Sequence, residues 1–354
     1  LQVTESFSTS RELLFVDDDS SAELIIDVNK QLTWAGIISA GASGNVLTKS
    51  GLGDLVLTTN ANAYVGSLVI EEGSVTVPAS SLEKATVDIG VDGGLVLSSN
   101  MTSLAMITGS GNFDLTGGKE LTIGENGGAG TYSGTISYIG GGALHKEGTG
   151  GFRFGGQYLG TLNLNGGELI LDGNLANPSL WTLNSAASTT LAGQGYIAGI
   201  STLKGNISPD SPGIGSPIGS IKCASMSLEG EFICDISGAS SDKLIVDNAF
   251  DPTDATFVLG GTTPSEDVYV IVEYGSLAGH FDQTLQVPSG YRLDYAYNDG
   301  NDTKNIALIK DNTEPRVASI TTTQSTPTNL GDIAYTVTFT EPVVNFNALE
   351  DLAV

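Results

Sequence analysis

Residues 142–154 read GALHKEGTGGFRF, and residues 159–171 continue with LGTLNLNGGELIL. An earlier part of the chain resembles them, since residues 45–57 read NVLTKSGLGDLVL and residues 67–77 read SLVIEEGSVTV. Each copy has a lysine two residues before a Gly-x-Gly turn, followed by short apolar runs that a glycine interrupts. Internal repetition of this kind indicates a chain built from stacked units, none of which buries its apolar face alone.

The apolar runs alternate with polar residues on either side of the glycine pair at 166–167. Side chains with a period of two lie on one face of a β-strand. Strands this short are not stable as isolated hairpins, whereas stacked coils pair their backbones and bury a continuous apolar row. At about 20–29 residues per coil, the first part of the chain would form on the order of a dozen coils. The sequence therefore predicts an all-β chain with a right-handed parallel β-helix, and a sandwich of hairpins is the structural alternative.

The composition supports a large core and an acidic surface. Hydrophobic residues make up 40% of the 354 residues, and 47 residues are glycine. The 40 acidic residues outnumber the 14 basic ones, giving a formal net charge of −26. Because phosphate backbones and anionic lipids attract clusters of Lys and Arg, we expect neither nucleic-acid binding nor binding to an anionic membrane surface.

Membrane and export signals are also not evident in the sequence. No apolar run approaches the ~20 residues that span a bilayer, so we expect no transmembrane segment in this chain. The sequence opens at Leu1 with no basic region before it. We therefore expect any signal peptide to lie outside the given sequence.

The two cysteines, Cys223 and Cys234, flank a stretch that reads SLEGEF at residues 227–232. A turn at Glu229-Gly230 would place them on neighbouring strands of a hairpin, offset by one residue pair from a disulfide-compatible position. In an exported protein this favours a disulfide over two buried thiols. Two sulfurs without a nearby histidine do not make a zinc site.

The two lysine–glycine copies resemble the autotransporter-associated β-strand repeat of bacterial surface and secreted passenger proteins. Residues 193–199 (GQGYIAG) and 205–213 (GNISPDSPG) are similar to the passage that closes many such passengers. This chain has Ser-Pro-Asp at 208–210 where Pro-Gly-Asn is usual. The resemblance covers roughly residues 30–310. It implies an extracellular protein or one on the bacterial cell surface, and it carries little information about activity.

Resemblances to known repeats divide the chain into three parts. We expect β-helical coils with autotransporter-type repeats over 1–205 and closing rungs with a cap over 206–310. Residues 311–354 are similar to the opening of a bacterial immunoglobulin-like repeat. Such a sandwich takes about a hundred residues and seven strands, which is more than twice the length of 311–354. The C-terminal part is thus expected to be an incomplete sandwich, either because the chain is a fragment or because a neighbour completes it.

No catalytic constellation emerges from the sequence. A glycosidase needs two carboxylates facing each other in a cleft, whereas the acid runs at 17–19 and 71–72 fit a turn tip and opposite strand faces. The sequence has no Gly-x-Ser-x-Gly elbow. Its two histidines, His145 and His280, are predicted to be a surface residue and a structural residue. We therefore expect a protein that is not an enzyme.

Calcium is the one cofactor that the sequence suggests. Acidic residues near the predicted domain junction could chelate calcium between domains, because calcium prefers carboxylate oxygens. These candidates are Asp311, Glu314, Asp332 and Glu341. No other metal or cofactor is expected.

The function predicted from the sequence is that of a non-enzymatic surface or secreted structural protein, an adhesin-like β-helical rod. Its outward side chains would offer an extended contact surface to an extracellular protein, to a glycan or to copies of the same chain. One alternative is a subunit of an extracellular filament, assembled by strand exchange through the partial sandwich. A second alternative is a β-helix polysaccharide-degrading enzyme.

Overall fold

The structure is a computed structural model. It describes residues 1–79, 81–176, 178–200, 202–210, 218–301, 304–311, 316–322 and 335–339. The chain divides into two compact units, Leu1–Ile309 and Lys310–Val354. All regular structure within the described ranges is β-strand, and none of it is helical. No helix in these ranges has the length and apolarity that a bilayer crossing requires.

The first group of strands, in chain order, is β1 (Gln2–Val3), β2 (Phe7–Thr9), β3 (Leu13–Phe15), β4 (Ser21–Ile26), β5 (Gln31–Trp34), β6 (Ile38–Ala40), β7 (Val46–Ser50), β8 (Asp54–Leu57), β9 (Ala63–Tyr64), β10 (Ser67–Ile70), β11 (Ser74–Val77), β12 (Leu82–Ile89) and β13 (Leu95–Leu97). The second group is β14 (Met101–Gly109), β15 (Phe113–Asp114), β16 (Lys119–Ile123), β17 (Gly130–Tyr132), β18 (Thr135–Ser137), β19 (Gly142–Lys146), β20 (Gly151–Phe154), β21 (Gln157–Leu164), β22 (Glu168–Asp172), β23 (Pro178–Ser185), β24 (Thr190–Gly199), β25 (Thr202–Leu203) and β26 (Asn206–Ser208). The third group is β27 (Ser220–Cys223), β28 (Met226–Leu228), β29 (Glu231–Ser237), β30 (Ser240–Ser241), β31 (Lys243–Asp251), β32 (Thr256–Gly261), β33 (Val268–Leu277), β34 (Gln283–Leu285), β35 (Tyr291–Tyr297), β36 (Asn305–Lys310), β37 (Val317–Thr321) and β38 (Thr336–Phe339).

Most strands of the first unit pair in parallel with a strand of the preceding coil, of the following coil or of both. In β10, Leu68 lies opposite Leu47 of the preceding coil and Val87 of the following coil. In the first five coils a second sheet stacks β2, β5, β8, β11 and β13, and in the first three a third sheet stacks β3, β6 and β9. The first unit is therefore a β-solenoid of about 12 turns, and the predicted parallel β-helix is confirmed.

The core of the solenoid is the row of inward positions that the period of two places on each strand. Leu47, Leu68 and Val87 stack in neighbouring coils, and each is at most 2% exposed. Further along, Tyr132 stacks on Phe154, with ring centroids 6.2 Å apart. Full burial of one such apolar side chain stabilises a fold by about 1.5–3 kcal/mol. Because the row is continuous, each coil covers the apolar face of the next one.

Antiparallel pairs occur near the end of the first unit and in the second unit. Strand β33 pairs with β36 in antiparallel register, so the chain reverses direction after the last parallel coils. In the second unit β37 pairs with β38, also antiparallel. The described residues of 311–354 thus form a two-stranded hairpin, and the immunoglobulin-like sandwich stays a prediction.

The predicted hairpin around Glu229-Gly230 is wrong. Strand β27 pairs in parallel with β24 and β31, whereas β29 pairs in parallel with β26 and β32. Glu229-Gly230 thus lies between two strands of one coil and does not reverse the chain. Cys223 and Cys234 are both buried free thiols, so the structure contains no disulfide between them. Burial raises the pKa of Cys223 to about 12.

Candidate functional site

The repeat lysines point into the solenoid. Lys49 follows Leu47 at the inward spacing of β7, and Lys146 follows Leu144 in the same way in β19. Both lysines are fully buried, at 0% exposure. Desolvation by burial lowers the pKa of each amine, although neighbouring carboxylates oppose the shift. The positions therefore hold ammonium groups where an apolar side chain would ordinarily lie.

Backbone carbonyl oxygens surround the Lys49 ammonium group. Its Nζ donates to the carbonyl oxygens of Ser50 at 3.1 Å, Gly51 at 2.7 Å and Glu72 at 2.9 Å. Ser50 is the last residue of β7 and Gly51 begins the turn that follows it, whereas Glu72 belongs to the turn of the next coil. The lysine thus joins two successive turns through charge-assisted hydrogen bonds.

Lys146 repeats this arrangement about a hundred residues later. Its Nζ donates to the carbonyl oxygens of Glu147 at 2.6 Å, Gly148 at 3.3 Å and Gly166 at 3.2 Å. Two of these residues lie in the turn after the lysine, and Gly166 lies one coil further on. Because the same geometry recurs in both copies, the lysines are structural links between coils.

A glycine is required beside the ammonium group of Lys49. Gly73 has a φ of +67°, and a Cβ there would lie 2.7 Å from Nζ of Lys49 and 2.2 Å from the carbonyl oxygen of Gly53. Only glycine combines this backbone conformation with such a close approach. The glycine of the Lys-x-Gly spacing itself is Gly51, which has a φ of +73° and whose Cβ would collide with the carbonyl oxygen of Ile26 in the preceding coil. The inward direction of the lysine was not predicted from the sequence. Its position two residues after Leu47, on the same face of the strand, could have indicated this direction.

The predicted calcium ligands are only partly within the described residues. Asp311 is half-buried, whereas Glu314, Asp332 and Glu341 lie outside the described residues. In the described ranges, no group of three or more His, Cys, Asp or Glu side chains could hold a metal ion. Calcium binding at these four residues stays a prediction.

The two histidines contact neighbouring side chains. Nδ1 of His145 lies 3.3 Å from Nδ2 of Asn163, and its Nε2 lies 3.6 Å from a carboxylate oxygen of Glu120. His280 stacks on the ring of Tyr295, with centroids 3.9 Å apart. His145, predicted to be a surface residue, is half-buried, and the roles of both histidines stay predictions.

A buried carboxylate, that of Asp242, lies between β30 and β31. Asp242 is fully buried and accepts hydrogen bonds from the backbone N–H of Gly219 at 2.8 Å and of Asp235 at 2.9 Å. Burial raises its pKa to about 7, and the charges of Asp235 and Asp210 add to the rise, while the two N–H donors oppose it. The side chain joins Gly219, directly before β27, to Asp235 within β29. Its role in the fold is therefore a polar crosslink.

A groove of about 460 Å³ lies near the antiparallel end of the solenoid. We name it the polar groove and define it by Asp247, Glu273, Asp299, Asn301 and Lys304, with Ile245, Val246, Tyr274, Gly275 and Asn305 completing its wall. Its members come from β31, β33, the loop before β36 and the start of β36. All of them belong to the first compact unit.

Close strand packing forms the floor of the polar groove. Ile245 of β31 lies opposite Glu273 of β33, and the register of this pair shifts between Val246 and Ala249. A Cβ on Gly275 would lie 2.4 Å from the carbonyl oxygen of Asp247. The backbone N–H of Tyr274 donates to the carbonyl oxygen of Lys304 at 3.0 Å. This hydrogen bond connects the floor to the residue that follows the loop.

Two ion pairs orient the carboxylates of the groove. Nζ of Lys222 lies 3.1 Å from Oδ1 of Asp247, and Nζ of Lys243 lies 2.7 Å from Oε1 of Glu273. The carboxylate side chains are 40% and 44% exposed, so solvent reaches both. Lys222 also lies 5.3 Å from the ring centroid of Tyr196, one coil earlier. The arrangement can accept hydrogen bonds from a ligand at fixed positions, and no nucleophile with its base is among the residues that line it.

Comparison with known proteins adds no family assignment. Neither a protein-family model nor a curated protein matches this sequence.

Proposed function

We propose that this chain is a non-enzymatic structural protein of the cell surface or the extracellular space, a β-solenoid rod that presents an extended surface to a partner. The observation that carries the proposal is the use of the repeat lysines. Lys49 and Lys146 carry amines that could serve catalysis, but both are buried. Their ammonium groups donate hydrogen bonds to backbone carbonyls of successive coils. The repeat therefore serves the stacking of coils.

Other reactive groups of the solenoid are engaged in the same way. The hydroxyl of Tyr132 donates to the carbonyl oxygen of Gly111 at 2.7 Å, and that of Tyr64 donates to Ser67 at 2.8 Å. Burial raises the pKa of Cys223, which disfavours the reactive thiolate. These groups support a scaffold more readily than an enzyme.

The surface chemistry supports an extracellular setting. A net charge of −26 keeps long rods apart and in solution through mutual repulsion. The resemblance of the lysine–glycine copies to passenger repeats supports the same location. Partners would contact the outward side chains of several coils together, because a solenoid presents them in rows.

Electron microscopy together with a turnover assay tests this proposal. We expect single rods, in which a dozen coils at ~4.8 Å spacing give the solenoid a length of about 60 Å. We also expect no cleavage of pectins, alginates, xylans or β-glucans. Cleavage of any of these polysaccharides by an activity that stays with the protein through purification would contradict the proposal.

A filament subunit is the second candidate. The hairpin of β37 and β38 favours it, because Val317 and Ile320 are 46% and 53% exposed. An isolated two-stranded hairpin is marginal in water, so further strands would stabilise it. Ordered fibres in micrographs of the concentrated chain would support this candidate, and particles that stay single at every concentration would exclude it.

A further inference from the structure

We propose that the polar groove is a binding site for a neutral oligosaccharide. This inference rests on the proposed function, since it names the class of partner that the rod would hold. The groove is a concave part of the outer surface of the solenoid. Beside the register shift between β31 and β33, a volume of about 460 Å³ is large enough for two or three sugar rings.

The groups that line the groove match hydroxyl groups. Each ion pair engages one oxygen, Oδ1 of Asp247 and Oε1 of Glu273. Within the described residues, the second oxygen of each carboxylate accepts no hydrogen bond. Hydroxyl groups donate to such oxygens through charge-assisted hydrogen bonds. The lysines hold the two carboxylates in place before a ligand arrives, which lowers the ordering cost of binding.

The loop wall adds a side chain that both donates and accepts. The carboxylate of Asp299 accepts the backbone N–H of Asn301 at 2.9 Å, so the turn is locally closed. Asn301 is exposed at the groove, and its amide carries a carbonyl oxygen and an NH₂ group. An amide of this kind can pair with a hydroxyl in either direction.

The charge distribution selects a neutral ligand. Lys222 and Lys243 neutralise Asp247 and Glu273, and the two other charged residues of the lining, Asp299 and Lys304, are one acid and one base, so the groove has no strong excess of either sign. The chain as a whole carries −26, which repels polyanions such as sulfated or uronate-rich chains. A neutral, hydroxyl-rich oligosaccharide is not repelled by the net charge of the protein.

A glycan array followed by calorimetry tests the inference on the full chain. The array presents neutral hexose and pentose oligosaccharides of two to six units beside sialylated, sulfated and uronate-containing ones. The best-retained neutral oligosaccharide then serves as the titrant. The double variant D247N/E273Q keeps the side-chain shapes and removes both charges. We expect it to weaken binding by about tenfold to a hundredfold.

A second variant and a control separate binding from folding. Asn301→Trp places a large side chain at the exposed wall and should abolish binding while the melting temperature stays unchanged. Glu71→Gln changes an exposed acid in a distant coil and should leave the affinity unaltered. Each protein is checked by thermal unfolding, because a loss of affinity counts only in a folded chain.

Three outcomes would overturn the inference: no retention of any neutral glycan, retention confined to the acidic ones, and binding that both groove variants leave intact. The proposed function has an independent readout. Rods without glycan binding would remove the groove from consideration and leave the scaffold in place. Polysaccharide turnover would remove the scaffold proposal itself.

Discussion

At Lys146 a charged residue occupies an inward position in a row of leucines, and its surroundings explain why it is tolerated. An unpaired ammonium group in an apolar core would be strongly destabilising. Here three carbonyl oxygens of two successive turns accept its protons. Those carbonyls would otherwise lie in the wall of the solenoid with few donors. The residue and its acceptors therefore satisfy each other, and removing either part should be costly.

Replacing Lys146 with methionine should lower the free energy of unfolding by about 2–4 kcal/mol, because the buried carbonyls lose their donor. Urea unfolding followed by circular dichroism measures the change. Lys84→Met is the matched control, since Lys84 is exposed, and it should shift stability by less than about 0.5 kcal/mol. Equal effects of the two substitutions would show that the ammonium group is not a link between coils.

Asp242 makes stability depend on pH near neutrality. Its native pKa of about 7 lies above the 3.8 of an ordinary aspartate, so between these values the native chain binds the additional proton. The stability contributed by this group is therefore complete below about pH 4 and is lost as the pH rises through 7. The expected loss is on the order of 2–4 kcal/mol.

Urea unfolding at several pH values between 5 and 8 measures this loss. The wild-type free energy of unfolding should fall more steeply with pH than that of Asp242→Asn, in which the group cannot ionise. Asp18→Asn, in an exposed turn, should keep the wild-type slope. If all three slopes coincide, Asp242 does not titrate in this range.

At the scale of the element, a tyrosine packs over the glycine two residues later at three corners of the solenoid. The pairs are Tyr64 with Gly66, Tyr132 with Gly134 and Tyr158 with Gly160. In the middle pair, a Cβ on the glycine would lie 2.4 Å from the tyrosine hydroxyl oxygen and 2.5 Å from the carbonyl oxygen of Gly111. Because the glycine has no side chain, the tyrosine ring can pack directly over it where the chain turns from one face of the solenoid to the next.

Gly134→Ala should therefore destabilise the chain by about 1–3 kcal/mol, because the new methyl group meets backbone as well as the ring. Gly41→Ala is the matched control, since a Cβ at Gly41 meets nothing within 4 Å. It should be neutral or slightly stabilising, because alanine restricts the unfolded chain. Thermal unfolding compares the two variants. A Gly134 variant as stable as the Gly41 variant would mean that the corner relaxes freely.

The strands and their faces were predictable because a period of two is a local property of the sequence. Leu47 and Leu68 face inward as the alternation indicates, and their parallel pairing follows from the repeat. The inward lysine was missed because its acceptors, such as Gly166, belong to the next coil. The polar groove was missed for a similar reason. Its members Asp247, Glu273 and Asn301 are brought together by pairing across coils, which spacing along the chain does not reveal.

At the scale of the whole solenoid, stability comes from contacts between neighbouring coils. Residues in one coil pair with the coil before and the coil after, as Leu68 does with Leu47 and Val87. Such a stack behaves as a one-dimensional array in which each unit depends on its neighbours alone. Removing one complete unit should then bring two matching faces together. Removing part of a unit should place unmatched strands in contact.

Deleting residues 67–85 would join Gly66 to Thr86, and Thr86 lies opposite Ser67 in the register of β10 and β12. The shortened chain should fold with an unchanged β-sheet circular dichroism signal per residue and a modest loss of stability, because Lys49 loses its bond to the carbonyl of Glu72. Deleting residues 67–76 removes about half a coil, so β12 loses its partner strand β10 and would meet a different face of the preceding coil. That variant should show no cooperative unfolding transition. If the two deletions behave alike, coils depend on more than their immediate neighbours, and the one-dimensional description of this solenoid fails.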